Sequence, residues 1–161
     1  MFIAPRPGEH GDWYYLTRRG ERIIEAEDFG AYVRESLLSP ETLDPMLTRR
    51  VKPLFLRGDY DTAIFQAFKI VEVRVRKAAR LSNDDYGIDL MRTAFNPTGR
   101  RLTNRKASRA ERERMRDLFV GAIGLFKNPT SHRFVEGISA EFAADAIRFA
   151  NLLLRMTDDV K

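Results

Sequence analysis

The longest helical pattern in the sequence does most to limit what this chain can fold into. From about Tyr60 to Leu81, apolar residues recur at intervals of three and four, the spacing of one face of an α-helix. That stripe consists of Ile64, Ala67, Phe68, Val71, Val75 and Ala78. The opposite face is predicted to carry the polar residues Lys69, Glu72, Arg76 and Arg80. The segment is therefore predicted to be an amphipathic helix with one side buried.

Other segments repeat this pattern along the chain. Helices are predicted at about 39–58, 60–81, 88–95, 108–126 and 139–157. Pro53 is expected to bend or interrupt the first of them, and Gly58 is expected to end it. The predicted fold class is all-α, a bundle of four to five helices held together by their apolar stripes, with a short β-like segment at the N-terminus.

The first 38 residues differ in composition from the rest. The run Trp13-Tyr14-Tyr15-Leu16-Thr17 is aromatic and β-branched, which is typical of a half-buried strand, and Thr17 is predicted to cap a helix over about 18–32. The segment resembles the end of a winged-helix domain, where the last wing strand runs into Leu-Thr-x-x-Gly. We therefore divide the chain into 1–38, either a winged-helix remnant or a strand that caps the bundle, and 39–161, the helical bundle.

Composition excludes several classes of function. The 161 residues contain no cysteine, which removes disulfides, thiolate catalysis and cysteine-based zinc sites. The two histidines, His10 and His132, lie far apart, and no phosphate-binding glycine motif or nucleophile elbow is present. We expect no metal and no cofactor. Apolar runs are too short to cross a bilayer and no signal peptide is evident, so a cytoplasmic protein is predicted.

The basic residues are concentrated in one segment. The net charge is +5, and from Arg100 to Arg116 eight basic residues stand against two acidic ones. Such a cluster attracts polyanions through counterion release, although a solvated helix face is the alternative. The candidate nucleic-acid-binding residues in this segment are Arg105, Arg109, Arg112 and Arg116.

A second cluster of reactive groups follows the helix predicted at 108–126. Residues 127–133 combine a cation, an amide, two hydroxyls, an imidazole and a guanidinium. His132 can transfer protons near neutral pH, and Lys127 can hold a phosphate and offset charge as the reaction proceeds. These groups suffice for metal-free RNA cleavage, in which a ribose 2′-hydroxyl attacks the adjacent phosphate. The alternative is a helix stop, with Asn128 and the following proline ending the helix and Lys127 complementing its dipole.

The region from Leu43 to Met156 resembles the HEPN superfamily and is similar to its Ymh-like branch, which is found in phage- and defence-associated bacterial genes. The resemblance rests on 51–76, 118–133 and 150–153. HEPN ribonucleases share an Arg-x4-6-His motif, often with Asn after the Arg. Here Lys127 occupies the Arg position, Asn128 follows it, and four residues separate Lys127 from His132.

The resemblance implies a metal-independent endoribonuclease in prophage biology, phage defence or toxin–antitoxin control. His132 would be the general acid or base, Lys127 and Arg133 would bind phosphate, and Asn128 would position the substrate. It also implies a homodimer that brings two motifs into one cleft. RNA is the expected partner, with an antitoxin or other protein as a further one.

Two residues of the 60–81 helix are candidates to support this site. Glu72 is expected to orient His132 or to pair with Lys127, and Arg76 to contact nucleic acid; the alternative is a simple i, i+4 surface ion pair between them. Lysine lacks the planar fork with which arginine grips phosphate. A non-cutting HEPN scaffold that binds nucleic acid or a partner protein is therefore an alternative function. Another is the effector half of a winged-helix DNA-binding regulator.

Overall fold

The chain is described by a computed structural model over residues 3–5, 14–18, 20–21, 34–38, 42–99, 101–127 and 137–160. These residues belong to two compact units, Met1–Leu37 and Leu38–Lys161. No helix in the described part of the chain combines the length and apolar character needed to span a membrane.

The first unit contains a two-stranded antiparallel sheet. Strand β1 (Ile3–Pro5) pairs with β2 (Tyr14–Leu16). The strand predicted at 13–17 is thus confirmed over its middle, but the Tyr14 and Tyr15 side chains are exposed rather than half-buried. The helix predicted over 18–32 falls mostly outside the described residues, and the winged-helix origin of this unit stays a prediction.

The described residues of the second unit form a helical bundle, which confirms the all-α prediction. Its elements are α1 (Pro45–Arg50), α2 (Lys52–Arg57), α3 (Tyr60–Ala78), α4 (Gly87–Ala94), α5 (Arg109–Ala122), a π-helical turn (Ile123–Lys127) and α6 (Ala140–Asp159).

The interruption expected near Pro53 separates α1 from α2. The break falls at Val51, so that Pro53 lies in the first turn of α2, where its missing N–H leaves no hydrogen bond unmade. Gly58 ends α2 in the left-handed conformation, with φ of 87°, which glycine adopts without steric strain. The sequence placed the interruption and the stop within two residues of their positions.

The core of the bundle lies between α3 and α6, which pack along each other. Two stacked aromatic pairs connect further elements, one of them joining the π-helical turn to α3 and the other joining the end of α4 to α5. Phe68 of α3 stacks on Phe126 of the π-helical turn, with ring centroids 4.8 Å apart, and Phe95 stacks on Phe119 of α5 at 4.1 Å. Each pair stabilises the fold by about 1 kcal/mol beyond the contribution from burial of its rings. The π-helical turn is therefore fixed to the bundle by its own aromatic residue.

The predicted buried faces need four corrections. Glu72, expected on the polar face of α3, is only 4% exposed. Ala78 is exposed because α3 ends there, and Ala79 is buried in its place. The apolar spacing also predicts that Leu118 and Phe142 are buried. Leu118 is instead 38% exposed, at the edge of the buried face of α5, and Phe142 is 54% exposed, in the first turn of α6.

Candidate nucleic-acid site

A buried carboxylate lies at the centre of the candidate site. Glu72 Oε1 accepts a hydrogen bond from Arg76 Nη2 at 2.9 Å. Glu72 Oε2 accepts two more, from Lys127 Nζ at 2.7 Å and from the Gly87 backbone N–H at 2.9 Å. We call Glu72, Arg76, Lys127 and the Gly87 N–H the Glu72 cluster. Three donors, two of them charged, compensate for the removal of this carboxylate from water.

Three elements that are distant in sequence build the Glu72 cluster. Helix α3 supplies Glu72 and Arg76 one turn apart, and Arg76 Nε also donates to the Asp85 carbonyl at 2.8 Å, which ties the loop before α4 to α3. Gly87, the first residue of α4, has φ of 61°, a conformation that favours glycine. Its N–H lies at the positive end of the α4 dipole, where a carboxylate is stabilised.

The π-helical turn supplies the third part of the cluster. Sequence reasoning predicted a regular helix to Phe126, but α5 ends at Ala122 and hydrogen bonds five residues apart take over. Gly121 and Gly124 weaken the local preference for an α-helix. The Phe126 ring, stacked on Phe68 and 5.9 Å from Phe149, then decides the geometry. These two glycines are the signal from which the irregular turn could have been inferred.

The Glu72 cluster holds Lys127 in place, and its own three charged side chains sum to +1. One carboxylate faces two cations, and the Lys127 and Arg76 side chains are each 16% exposed. In the described residues, every buried side-chain nitrogen and oxygen has a hydrogen-bond partner. Lys127, the first residue of segment 127–133, is thus oriented by its short contact with the buried Glu72 carboxylate.

The structure brings together only some of the predicted site residues. Asn128, His132 and Arg133 lie outside the described residues. Glu72, Arg76 and Lys127 meet in one cluster, so the two pairings considered for Glu72, with Arg76 and with Lys127, are both present. The Glu72–Arg76 pair is buried, not a surface pair. The roles of Gly87 and Asp85 were missed because 82–87 has the composition of an ordinary turn.

The predicted arginines of α5 are engaged with their own helix or with the preceding loop. Arg109 pairs with Glu113 at 3.0 Å, and Arg116 pairs with Asp117 at 2.7 Å. Arg112 donates to the Pro97 carbonyl at 2.7 Å. Arg105 is exposed in the loop before α5. Carboxylates of α5 therefore offset part of the charge of the basic segment.

No His, Asp or Glu cluster of metal-binding size is found among the residues that the structure describes. The family described as "Protein of unknown function (Hypoth_ymh)" matches residues 41–157. That range contains the whole Glu72 cluster, segment 127–133 and nearly all of α6. No curated protein and no solved structure matches the chain. The expected similarity to the Ymh-like branch is confirmed, and membership of the wider HEPN superfamily stays a prediction.

Proposed function

Since the chain belongs to the Hypoth_ymh family, we propose that it is a HEPN-type endoribonuclease that cleaves RNA without a metal ion, in prophage, phage-defence or toxin–antitoxin biology. Its site is segment 127–133 together with the Glu72 cluster, and its working form is a cytoplasmic homodimer. The side chains of segment 127–133 would supply the chemistry, and the contacts of Lys127 fix the position of its amine.

The observation that carries the proposal is the contact of Lys127 Nζ with the buried Glu72 carboxylate at 2.7 Å. Charge builds up on the phosphate oxygens as a phosphodiester is cleaved, and groups fixed in advance stabilise that charge best. Glu72 fixes the first cation of the motif, and Arg76 keeps the cluster net positive. A site that holds its cation in this way is suited to an anionic transition state.

The remaining steps follow from the residue types. The ribose 2′-hydroxyl attacks its own 3′-phosphate while the bond to the next 5′-oxygen breaks. His132 of one protomer removes the 2′-proton as the neutral imidazole. His132 of the partner subunit, protonated, delivers a proton to the 5′-oxygen. The products are a 2′,3′-cyclic phosphate and a 5′-hydroxyl. Lys127 and Arg133 offset charge on the phosphate, and Asn128 positions it.

The second histidine of the chain, His10, provides a matched control for the role of His132 in this mechanism. Mixed RNA is incubated with the protein in EDTA, and wild type is compared with His132→Ala and His10→Ala. These are the only two histidines. We expect cleavage in EDTA that is lost in His132→Ala and kept in His10→Ala. Cleavage that requires magnesium, or that survives in His132→Ala, would contradict the proposal.

A second candidate function, RNA binding without cleavage, is favoured by the same contact. Because Lys127 already faces a buried anion, its charge is offset before any phosphate arrives, and lysine offers no planar fork. In a scaffold that binds nucleic acid or a protein partner without cleavage, the Lys127–Glu72 pair would serve only to stabilise the fold. RNA binding by the wild type, with no cleavage by either the wild type or Lys127→Arg, would support this candidate over the nuclease.

A further inference from the structure

A basic groove runs between α1 and α3 and shares no residue with the Glu72 cluster. It has a volume of 410 Å³ and no acidic residue among those that line it. Four cations do line it, Arg50 from α1 and Lys69, Arg74 and Lys77 from α3. We call it the α1–α3 groove. The positive charge here was not among the sites predicted from the sequence, because Arg50 and Lys77 come from different segments.

Three of the four charges in the groove are not offset by a carboxylate in the described part of the chain. Arg74 is the exception, since it bridges Asp44 at 2.8 Å and Asp158 at 2.6 Å. Arg50, Lys69 and Lys77 are exposed and form no ion pair there. Lys69 Nζ lies 5.9 Å from the centre of the Phe65 ring. The groove therefore concentrates uncompensated charge, whereas the arginines of α5 largely face acids of their own helix.

The arrangement of these cations fits an elongated anion. Lys69 and Lys77 are eight residues apart on one face of α3, which is about 12 Å along the helix. Arg50 lies on the other wall, at the end of α1. Between them, the floor includes Ile70, which is buried, and Val73, which is 49% exposed. In a nucleic-acid strand the phosphates alternate with sugars along one backbone. Cations spaced along the groove, with apolar side chains between them, match this pattern.

We propose that the α1–α3 groove, which shares no residue with the Glu72 cluster, binds the phosphate backbone of RNA. The proposal goes beyond the nuclease, because binding here requires no cleavage. Release of counterions from the phosphates supplies the affinity. An anionic membrane is a poorer match, since surface-binding helices insert a broad apolar face. On this face the exposed large apolar residue is Val73, within the part of the chain that the structure describes.

The test measures the salt dependence of RNA binding in a His132→Ala background, where the RNA stays intact. A labelled oligouridylate is titrated with a groove variant that combines Arg50→Gln, Lys69→Gln and Lys77→Gln. Each single-strand phosphate contact contributes about 0.7 to the slope of log K against log salt, so three contacts contribute about 2. We expect the slope to fall by about 2 and the affinity at 0.1 M salt to fall by about 100-fold.

A control variant removes the same charge from other places. It combines Arg57→Gln, Arg92→Gln and Arg148→Gln, each of which is paired with a nearby acid and exposed. Charges outside the contact surface are largely screened at this ionic strength, so we expect its affinity to stay within about threefold of the parent. Thermal unfolding of both variants checks that the fold is kept.

Three results would refute RNA binding in the groove. They are equal slopes of log K against log salt for the two variants, no RNA binding by the parent, and binding of phosphatidylserine vesicles in place of RNA. The nuclease is judged separately, on wild-type protein in EDTA. If the wild type cleaves RNA and the groove variant binds like the control, only the proposal of RNA binding in the groove is refuted. If the slope falls as expected but the wild type cleaves no RNA, only the proposal of nuclease activity is refuted.

Discussion

Replacing Glu72 with glutamine tests whether the buried carboxylate organises the site. Glutamine keeps the size of the side chain and one carbonyl oxygen, but it removes the charge and turns one acceptor into a donor. The two oxygens of Glu72 face Arg76 on one side and Lys127 with the Gly87 N–H on the other. In either orientation, therefore, the new amide group points at a donor, and both cations lose their anion.

The expected cost follows from the burial of the cations. Removing one partner of a buried ion pair costs about 3–5 kcal/mol. Arg76 and Lys127 are each 16% exposed, so some water reaches them and the lower end of the range applies. A domain of about 120 residues has an unfolding entropy near 0.25 kcal/mol/K, so about 3 kcal/mol lowers its Tm by about 12 °C. We expect Glu72→Gln to produce a shift of this size.

The assay is thermal and urea unfolding of matched variants at neutral pH. Glu113→Gln is the control, because it makes the same change in an i, i+4 pair that is exposed, and it should cost about 0.5 kcal/mol or less. Lys127→Met should cost about 2 kcal/mol alone and clearly less once Glu72 is changed, because its contact with that carboxylate is then already lost. If Glu72→Gln costs no more than Glu113→Gln, or if the two changes at the cluster are additive, the reasoning is refuted.

Three further predictions concern the motif, the start of α5 and the core. Lys127→Arg restores a planar phosphate-binding group and is expected to raise single-turnover RNA cleavage about tenfold; a fall would argue against its role as a phosphate clamp. The Ser108 N–H and hydroxyl hold the pKa of Glu111 below its usual value of 4.5, so this stabilisation exists above pH 4.5 and is lost as pH falls through the folded pKa. The advantage of wild type over Glu111→Gln should therefore vanish on acidification, and a constant difference in urea unfolding across pH would contradict it. Phe119→Ala should cost about 4 kcal/mol because that ring is fully buried, and Phe142→Ala under about 1 kcal/mol; similar Tm values for the two would show that burial does not set the cost.

Local periodicity placed most of the described helices, although the first begins at Pro45 and not near residue 39. The stripe on α3 predicts its start at Tyr60, which is where the helix begins. The predicted end at Leu81 is three residues too late, because Arg80 adopts a left-handed conformation with φ of 53°. The final residues of a helix depend on the turn that follows, and that turn depends on what the chain packs against. Such information is not contained in the apolar spacing.

The candidate site was predicted less completely than the helices, because the buried position of Glu72 could not be inferred from the sequence. Periodicity assigns a charged residue to the solvent face, and within α3 alone Glu72 would lie there. In the folded bundle, however, Glu72 is covered by α4 and the π-helical turn. Two of its three partners, Gly87 and Lys127, are 15 and 55 residues away in the chain. One of them is a backbone N–H that has no signature in the residue types. The pairing with Lys127 could be considered from the sequence only as one of several options.

The Glu72 cluster also has a consequence for the order in which the site can form. As the chain is synthesised, Glu72 and Gly87 emerge well before Lys127, and Phe149, which packs near Phe126 of the π-helical turn, emerges later still. A nascent chain that lacks α6 keeps the stacking of Phe126 on Phe68, but it lacks the packing of Phe149 against the turn that carries Lys127. We therefore expect the turn and α6 to gain protection from hydrogen exchange together. The Lys127 site would then reach its final geometry only after α6 had docked.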